Sequence, residues 1–273
     1  MTYYLFLFSF ALISCNNSEN NLKEENKVDS NLLWSEEFVG DNIDLEKWNF
    51  ELGYGSNGWG NDEWQKYTKS NATIEDDNLI ITAKKNENLG SRDGSITSSR
   101  ITTQGKYEFG PGVRVEAKIK LPWGQGIWPA FWALGNDFST IGWPACGEID
   151  ILEMVGGNPM SHVNNKTLVG TCHWGPDWNN RASYGNSLVL TNPLSDDFHI
   201  YELIFHNDYI EMKVDNQRIN LMDIKNSSVY SYFHKKFFLI ANIAVGGNWP
   251  GAPNNDTMFP QKMYIDYIRV YKL

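Results

Sequence analysis

The sequence predicts an all-β domain, best described as a sandwich of two antiparallel sheets. From residue 31 onward no stretch has the sustained i, i+3, i+4 apolar spacing of an amphipathic helix, whereas short strand-like runs are frequent. Turn segments rich in Gly, Asn and Pro separate these runs, for example at residues 53–60, 156–159 and 246–255. The 273 residues show no internal repeat and no second composition regime. We therefore expect one domain with a sizeable core.

The N-terminus predicts a targeting segment and a tether. Residues 3–13 are almost wholly apolar but too short to span a bilayer, as in a signal peptide. Residues 12–15, Leu-Ile-Ser-Cys, resemble the lipobox of bacterial lipoproteins, although no Lys or Arg precedes the apolar run. We expect a lipoprotein-type signal over residues 1–15 and a flexible polar tether over residues 16–31. The protein would then be exported, and either anchored to a membrane through a lipid on Cys15 or secreted.

The remaining chain, residues 32–273, supplies the strands. In residues 112–121 one face is apolar and the other charged, which favours an antiparallel sheet over a fully buried parallel one. A hairpin is predicted from residues 201–206 and 209–214, which are joined at Asn207-Asp208. Further strands are predicted at residues 78–85, 168–174, 237–245 and 263–271.

The net charge argues against two kinds of partner, and the cysteines allow two interpretations. With 23 basic and 33 acidic residues the net charge is −10, which argues against nucleic acid or an anionic membrane surface as partner. Apart from Cys15 the chain has two cysteines, Cys146 and Cys172. They are either one disulfide of an oxidising compartment or two small buried residues, and the sequence leaves both open.

Three carboxylates mark the candidate site. Residues 148–153 read Glu-Ile-Asp-Ile-Leu-Glu, so Glu148 and Asp150 share one strand face while Glu153 breaks the alternation. A one-residue bulge after Asp150, with Leu152 as the extra residue, would return Glu153 to that face. Crowded carboxylates raise one another's pKa, and one protonated and one ionised carboxyl about 5–5.5 Å apart can hydrolyse a glycosidic bond with retention. From spacing alone, a metal site with hard oxygen ligands or a solvated face remains open.

Tryptophans surround these acids and suggest a sugar ligand. The chain has 11 Trp, and several precede or flank the acid strand or lie in a Gly- and Pro-rich loop. Exposed apolar rings usually mark binding sites, and the C–H faces of sugars stack on indole. The positions concerned are Trp123, Trp128, Trp132, Trp143, Trp174 and Trp249.

The bulged Glu-x-Asp-x-x-Glu strand resembles the signature of glycoside hydrolase family 16. Residues 128–132, Trp-Pro-Ala-Phe-Trp, and residues 246–251, Gly-Gly-Asn-Trp-Pro-Gly, resemble its laminarinase branch, the endo-β-1,3-glucanases. Other matching stretches are residues 34–38, 61–67, 99–106, 173–175, 198–201 and 264–271, so the resemblance covers about residues 32–273.

The resemblance implies a β-jelly-roll sandwich with an open concave cleft and a monomeric enzyme that needs no cofactor for catalysis. It makes Glu148 the nucleophile, Glu153 the general acid/base and Asp150 the assisting carboxylate. The implied substrate-binding residues are the sugar platforms Trp128, Trp132, Trp143 and Trp249, and the hydroxyl ligands Asn61, Arg100 and His173. Alternatively, Trp128 or Trp132 belongs to the core and Arg100 only pairs with an acid.

Many family members carry a structural Ca²⁺, and the resemblance places Asp266 at that position with Glu37 as a weaker partner. Asp266 is equally compatible with an ordinary exposed strand residue. The competing substrates are mixed-linkage β-glucan, agarose and carrageenan. A cleft for sulfated galactan would be lined by Arg and Lys, whereas Trp, Asn and Gly surround these acids. A non-catalytic glucan-binding protein would have lost one or both Glu, and this chain keeps both.

Overall fold

Strands dominate the computed structural model, which describes residues 30–87, 90–156 and 165–273. The predicted signal segment, Cys15 and nearly all of the tether lie outside the described residues. Within the described residues no helix has both the length and the apolarity needed to cross a membrane. Residues 31–273 form one compact unit.

The strands of the first half of the chain are β1 Leu32–Glu36, β2 Asn49–Glu51, β3 Lys66–Tyr67, β4 Ala72–Glu75, β5 Asn78–Lys85, β6 Ile96–Ser98, β7 Arg100–Thr102, β8 Val113–Lys120 and β9 Ile127–Gly135. Those of the second half are β10 Glu148–Glu153, β11 Thr167–Trp174, β12 Ala182–Val189, β13 His199–Phe205, β14 Tyr209–Val214, β15 Gln217–Asp223, β16 Phe237–Val245 and β17 Gln261–Lys272. The described helices are short: α1 Phe138–Ile141, α2 Ser227–Phe233 and 3₁₀ turns at Lys69–Asn71 and Trp178–Asn180, besides an irregular π-type turn at Gly58–Asp62.

The strands form two sheets, which confirms the predicted all-β sandwich. A seven-stranded sheet has the order β12-β11-β10-β9-β16-β7-β2. A ten-stranded sheet has the order β15-β14-β13-β8-β17-β5-β6-β3, with β1 paired to β17 and β4 to β5. All described strand pairs are antiparallel except the short parallel pair of β3 and β6. The predicted hairpin is β13 and β14.

The core lies between the sheets, and the sequence periodicity explains it. In β8, Val115, Ala117 and Ile119 are fully buried, whereas Arg114 and Glu116 form an ion pair on the opposite face. The nine residues of β16 are all buried, because one face joins the core and the other is covered by side chains of the site described below. Each fully buried Val, Leu, Ile or Phe contributes about 1.5–3 kcal/mol of transfer free energy.

The two cysteines do not form a disulfide in the structure. Cys146 and Cys172 are both fully buried and both free thiols. Burial raises the pKa of Cys146 to about 12 and that of Cys172 well above its ordinary value, so neither is a reactive thiolate at neutral pH.

Candidate active site

A bulge in β10 brings the three acids to one face. Against β9, Asp150 lies opposite Trp132 and Leu152 lies opposite Phe131, so Ile151 has no partner there. The predicted bulge is thus confirmed, but the unpaired residue is Ile151 rather than Leu152. Ile151 and Leu152 both enter the core, and after two successive core-facing side chains Glu153 returns to the face of Asp150.

These carboxyl groups are buried together, and burial is the first cause of their raised pKa values. The pKa of Glu148 rises to about 8 through burial and the charge of Asp150, opposed by His173, Arg100 and a hydrogen bond from Trp143. Burial also raises the pKa of Asp150 well above its ordinary value. The pKa of Glu153 is raised well above its ordinary value by burial and by the charges of Asp150 and Glu148. The cluster therefore holds a proton at neutral pH, as an acid/base pair requires.

His173 completes this cluster from the neighbouring strand. It lies directly opposite Glu148 in the β10–β11 register. Its Nε2 is 3.3 Å from Asp150 Oδ2 and 3.9 Å from Glu148 Oε1. The sequence placed His173 near the point of cleavage, and the structure puts it in contact with the acids themselves.

Two predicted sugar platforms, Trp128 and Trp132, lie on β9, on the same face of the sheet as the acids of β10. The Nε1 of Trp128 donates a hydrogen bond of 3.0 Å to Glu153 Oε1, and its ring meets that of Trp249 edge-on at 5.2 Å. The Nε1 of Trp132 donates to Asn242 Oδ1 at 2.8 Å. Both indoles are half-buried, so each has a ring surface left for a ligand and an N–H already used by the protein.

Arg100 supports the aromatic surface. Its guanidinium lies 4.7 Å from the ring of Trp59 and 4.7 Å from that of Trp132. Its Nε donates to Glu51, and only 7% of the residue is exposed. Arg100 therefore pairs with an acid, as the alternative interpretation expected. The Nε of Arg100 is not available to sugar hydroxyls. No sequence pattern selects Trp59, which lies in the turn at Gly58–Asp62 with a φ of 55°.

A chain of hydrogen bonds connects Asn61 to the same surface. Asn61 Nδ2 donates to Glu63 Oε1 at 3.2 Å, and the hydroxyl of Tyr67 donates to Glu63 Oε2 at 3.3 Å. Asn242 Nδ2 donates in turn to the Tyr67 oxygen at 3.1 Å. Glu63, Tyr67 and Asn242 were missed, although two of them lie in the matching stretch 61–67. Asn61 is therefore held by the network that also positions Trp132.

Trp143 and a residue absent from the sequence prediction extend the surface beyond His173. The ring of Trp143 is 6.2 Å from His173 and 5.0 Å from Trp178. Trp178 is 55% exposed, and the guanidinium of Arg181 lies 4.4 Å from its ring. A sugar ring can stack on an exposed indole whose position is stabilised by a cation–π contact.

The residues expected to bind Ca²⁺ do not form a metal site. Asp266 Oδ2 is 2.5 Å from Lys118 Nζ. Glu37 forms two hydrogen bonds to Arg269, of 2.9 and 2.7 Å, which together with the charge of Arg269 lower its pKa. Each carboxylate is thus neutralised by its own cationic side chain, so the two do not fit a shared calcium ion.

Comparisons with known proteins agree with this geometry. The family model described as "Glycosyl hydrolases family 16" matches residues 60–269. The chain is 38% identical over 243 residues to the clotting factor G alpha subunit of Tachypleus tridentatus, covering 88% of this chain and 34% of that protein. It is 35% identical over 266 residues to glucan endo-1,3-beta-glucosidase A1 of Niallia circulans, covering 89% of this chain and 38% of that protein. The chain thus spans little more than a third of these two relatives.

Among solved structures, the laminarinase catalytic domain from Thermotoga maritima is similar over nearly its whole length. The TM-score is 0.79 and the sequences are 43% identical, with 89% of this chain and 98% of that chain covered.

Proposed function

The chain belongs to glycosyl hydrolase family 16, and from this premise we propose that residues 32–273 are a retaining endo-β-1,3-glucanase of the laminarinase type. One observation carries the proposal: the bulge at Ile151 puts Glu148, Asp150 and Glu153 on one face, where burial keeps a proton in the cluster.

In the first step Glu153 acts as the acid. Its proton passes to the glycosidic oxygen as the bond from that oxygen to the anomeric carbon breaks, and a carboxylate oxygen of Glu148 bonds to the same carbon. Trp128 orients the carboxyl of Glu153 through its 3.0 Å hydrogen bond. His173, Arg100 and Trp143 oppose the rise in the pKa of Glu148 and limit it to about 8, whereas the charges of Asp150 and Glu148 both add to the rise in the pKa of Glu153.

In the second step Glu153, now ionised, takes a proton from water. The water oxygen bonds to the anomeric carbon, the bond to Glu148 breaks, and the configuration at that carbon is retained. Asp150 lies between the two glutamates in the strand, and its charge raises the pKa of each of them. These side chains perform every proton transfer and the nucleophilic attack, so the reaction needs no cofactor.

A neutral glucan suits this site better than a sulfated galactan. Beside the acids the surface consists largely of indole rings, and Arg100, the arginine whose charge acts on Glu148, is already paired with Glu51. The exposed Arg181 stacks on Trp178 and donates to its backbone carbonyl oxygen. An anionic polysaccharide would need unpaired cations near the acids. We leave a structural Ca²⁺ out of the proposal, because its predicted ligands pair with Lys118 and Arg269.

Export, a lipid anchor at Cys15 and a monomeric state are part of the same proposal and rest on the sequence alone. Cell fractionation of wild type and Cys15→Ser tests the anchor. The wild-type chain is expected in the membrane fraction and the variant in the soluble exported fraction. Sedimentation of the purified protein tests the monomeric state.

The activity is tested by incubating the protein with laminarin, lichenan, agarose and κ-carrageenan and sizing the products. We expect a ladder of short oligosaccharides from laminarin. Glu148→Gln is expected to abolish turnover but to retain laminarin binding. Glu211→Gln is the matched control, because Glu211 is also buried but lies on the ten-stranded sheet and pairs with Arg218. Wild-type activity in Glu148→Gln, or products from a galactan only, would overturn the proposal.

A further inference from the structure

The acid cluster has a second chemical property, which its acid/base role does not use. One atom from each of Glu148, Asp150 and His173 lies within 4.8 Å of the others. His173 Nε2 is 3.3 Å from Asp150 Oδ2 and 3.9 Å from Glu148 Oε1. Two carboxylate oxygens and an imidazole nitrogen are ligands that Zn²⁺ accepts.

Asp150 supplies an independent observation. The residue is 2% exposed, and its Oδ2 accepts no hydrogen bond from any described residue. This oxygen lies within ion-pair distance of His173 Nε2 and therefore points into the group of three. A buried acceptor without a hydrogen bond costs about 1–3 kcal/mol, which a bound cation would offset.

We propose that Glu148, Asp150 and His173 form an inhibitory Zn²⁺ site, with water as the fourth ligand. Tetrahedral Zn²⁺ with bonds of about 2.0–2.1 Å holds its ligand atoms about 3.3 Å apart. The contact between His173 and Asp150 already has this length, and Glu148 Oε1 has to approach His173 by about 0.6 Å more, a small rotation of a half-buried side chain.

The ligand set also selects the metal. Ca²⁺ and Mg²⁺ take oxygen ligands and prefer six or more of them, whereas an imidazole with two carboxylates suits Zn²⁺. Both carboxylate ligands have to be ionised, so Zn²⁺ replaces the proton of the cluster as the positive charge between them. Cys146 and Cys172 are fully buried and do not compete for the metal.

Zn²⁺ in this position holds Oε1 of Glu148, and the metal with its water ligand would fill the space in front of the nucleophile that the sugar has to enter. On the proposed function, Zn²⁺ is therefore competitive with glucan: it raises KM and leaves kcat unchanged. Binding of the metal itself does not depend on which polysaccharide is the substrate, so the two proposals can fail separately.

The test is calorimetric titration of the full chain with ZnCl₂, and with CaCl₂ in parallel. We expect a Zn²⁺ site that is weakened at least about tenfold in His173→Ala, as loss of a ligand implies. His199→Ala is the matched control, because His199 lies 2.6 Å from Asp215 on the ten-stranded sheet, with no third ligand in the described residues. CaCl₂ is expected to give no binding that His173→Ala removes.

Glu148→Gln provides a second variant of nearly unchanged shape, and it is also expected to weaken Zn²⁺ binding. Thermal unfolding of each variant checks that it is folded. Zn²⁺ binding that is absent, or unchanged in both His173→Ala and Glu148→Gln, overturns the site. An apparent KM for laminarin that Zn²⁺ leaves unchanged overturns the inhibitory role, and a protein inactive on every glucan is still judged by the titration.

Discussion

Trp128 donates its indole N–H to Glu153, and replacing it by Phe removes this donor while keeping an aromatic ring. A hydrogen bond to an ionised group is worth about 1.5–3 kcal/mol, which corresponds to about one to two pKa units. The 3.0 Å bond favours the ionised form of Glu153 and so lowers its pKa. Without it the pKa rises further, and the acid form of Glu153 persists to higher pH.

The assay is kcat/KM for laminarin as a function of pH, because this ratio reports the free enzyme. The alkaline limb reflects loss of the proton from the acid cluster and is expected to move upward by about one unit in Trp128→Phe. Trp132→Phe is the matched control, since this indole lies on the same face of β9 but donates to the neutral Asn242. An alkaline limb that stays in place or moves downward in Trp128→Phe, or that moves equally in Trp132→Phe, would refute the reasoning.

Three further substitutions test the supporting structure. Trp178→Ala is expected to raise KM for laminarin about threefold to tenfold, with kcat and stability nearly unchanged, because the exposed ring contributes only stacking. Arg100→Lys is expected to lower the free energy of unfolding in urea by about 2 kcal/mol, because an ammonium cannot stack between two rings while pairing with Glu51. Gly135→Ala is expected to lower that free energy by more than about 3 kcal/mol, since its Cβ would lie 1.9 Å from the Cys146 carbonyl oxygen.

The arginine and glycine substitutions each have a matched control. Arg218→Lys replaces a more exposed arginine that pairs with Glu211 and contacts no aromatic ring among the described residues, and a loss as large as in Arg100→Lys would contradict the stacking argument. Gly105→Ala adds a methyl group that meets no heavy atom within 4 Å, so its cost is only the left-handed backbone strain of about 1–2 kcal/mol. For Trp178, an unchanged KM on long glucans would exclude a sugar platform at this position.

The short helices and the metal prediction show where sequence patterns are weak. Helix α2 spans seven residues, Ser227–Phe233, which is too short for a helical periodicity to stand out. Asn226 caps it by accepting a hydrogen bond from the backbone N–H of Ser228. Asp266 was a metal candidate by position alone, and its partner Lys118 lies 148 residues away in the chain.

In the acid strand, too, the sequence predicted some features and not others. The alternation in Glu-Ile-Asp-Ile-Leu-Glu was enough to predict a strand, a bulge and three acids on one face, because strand geometry depends on neighbouring residues. It was not enough to identify Ile151 as the unpaired residue, since this follows from the register that β9 imposes.

The sequence by itself determined the all-β class, the acid strand and the family, because side-chain alternation and the acid motif are local properties of the chain. Only the tertiary structure decided the partners of those residues: Arg100 with Glu51 and two rings, Trp128 with Glu153, and His173 with Asp150. These contacts join residues that are 49, 25 and 23 positions apart in the numbering, and they exist only where the packed sheets bring separate strands together. The acid strand indicates the type of reaction, whereas residues of the neighbouring strands determine the charge and position of each acid.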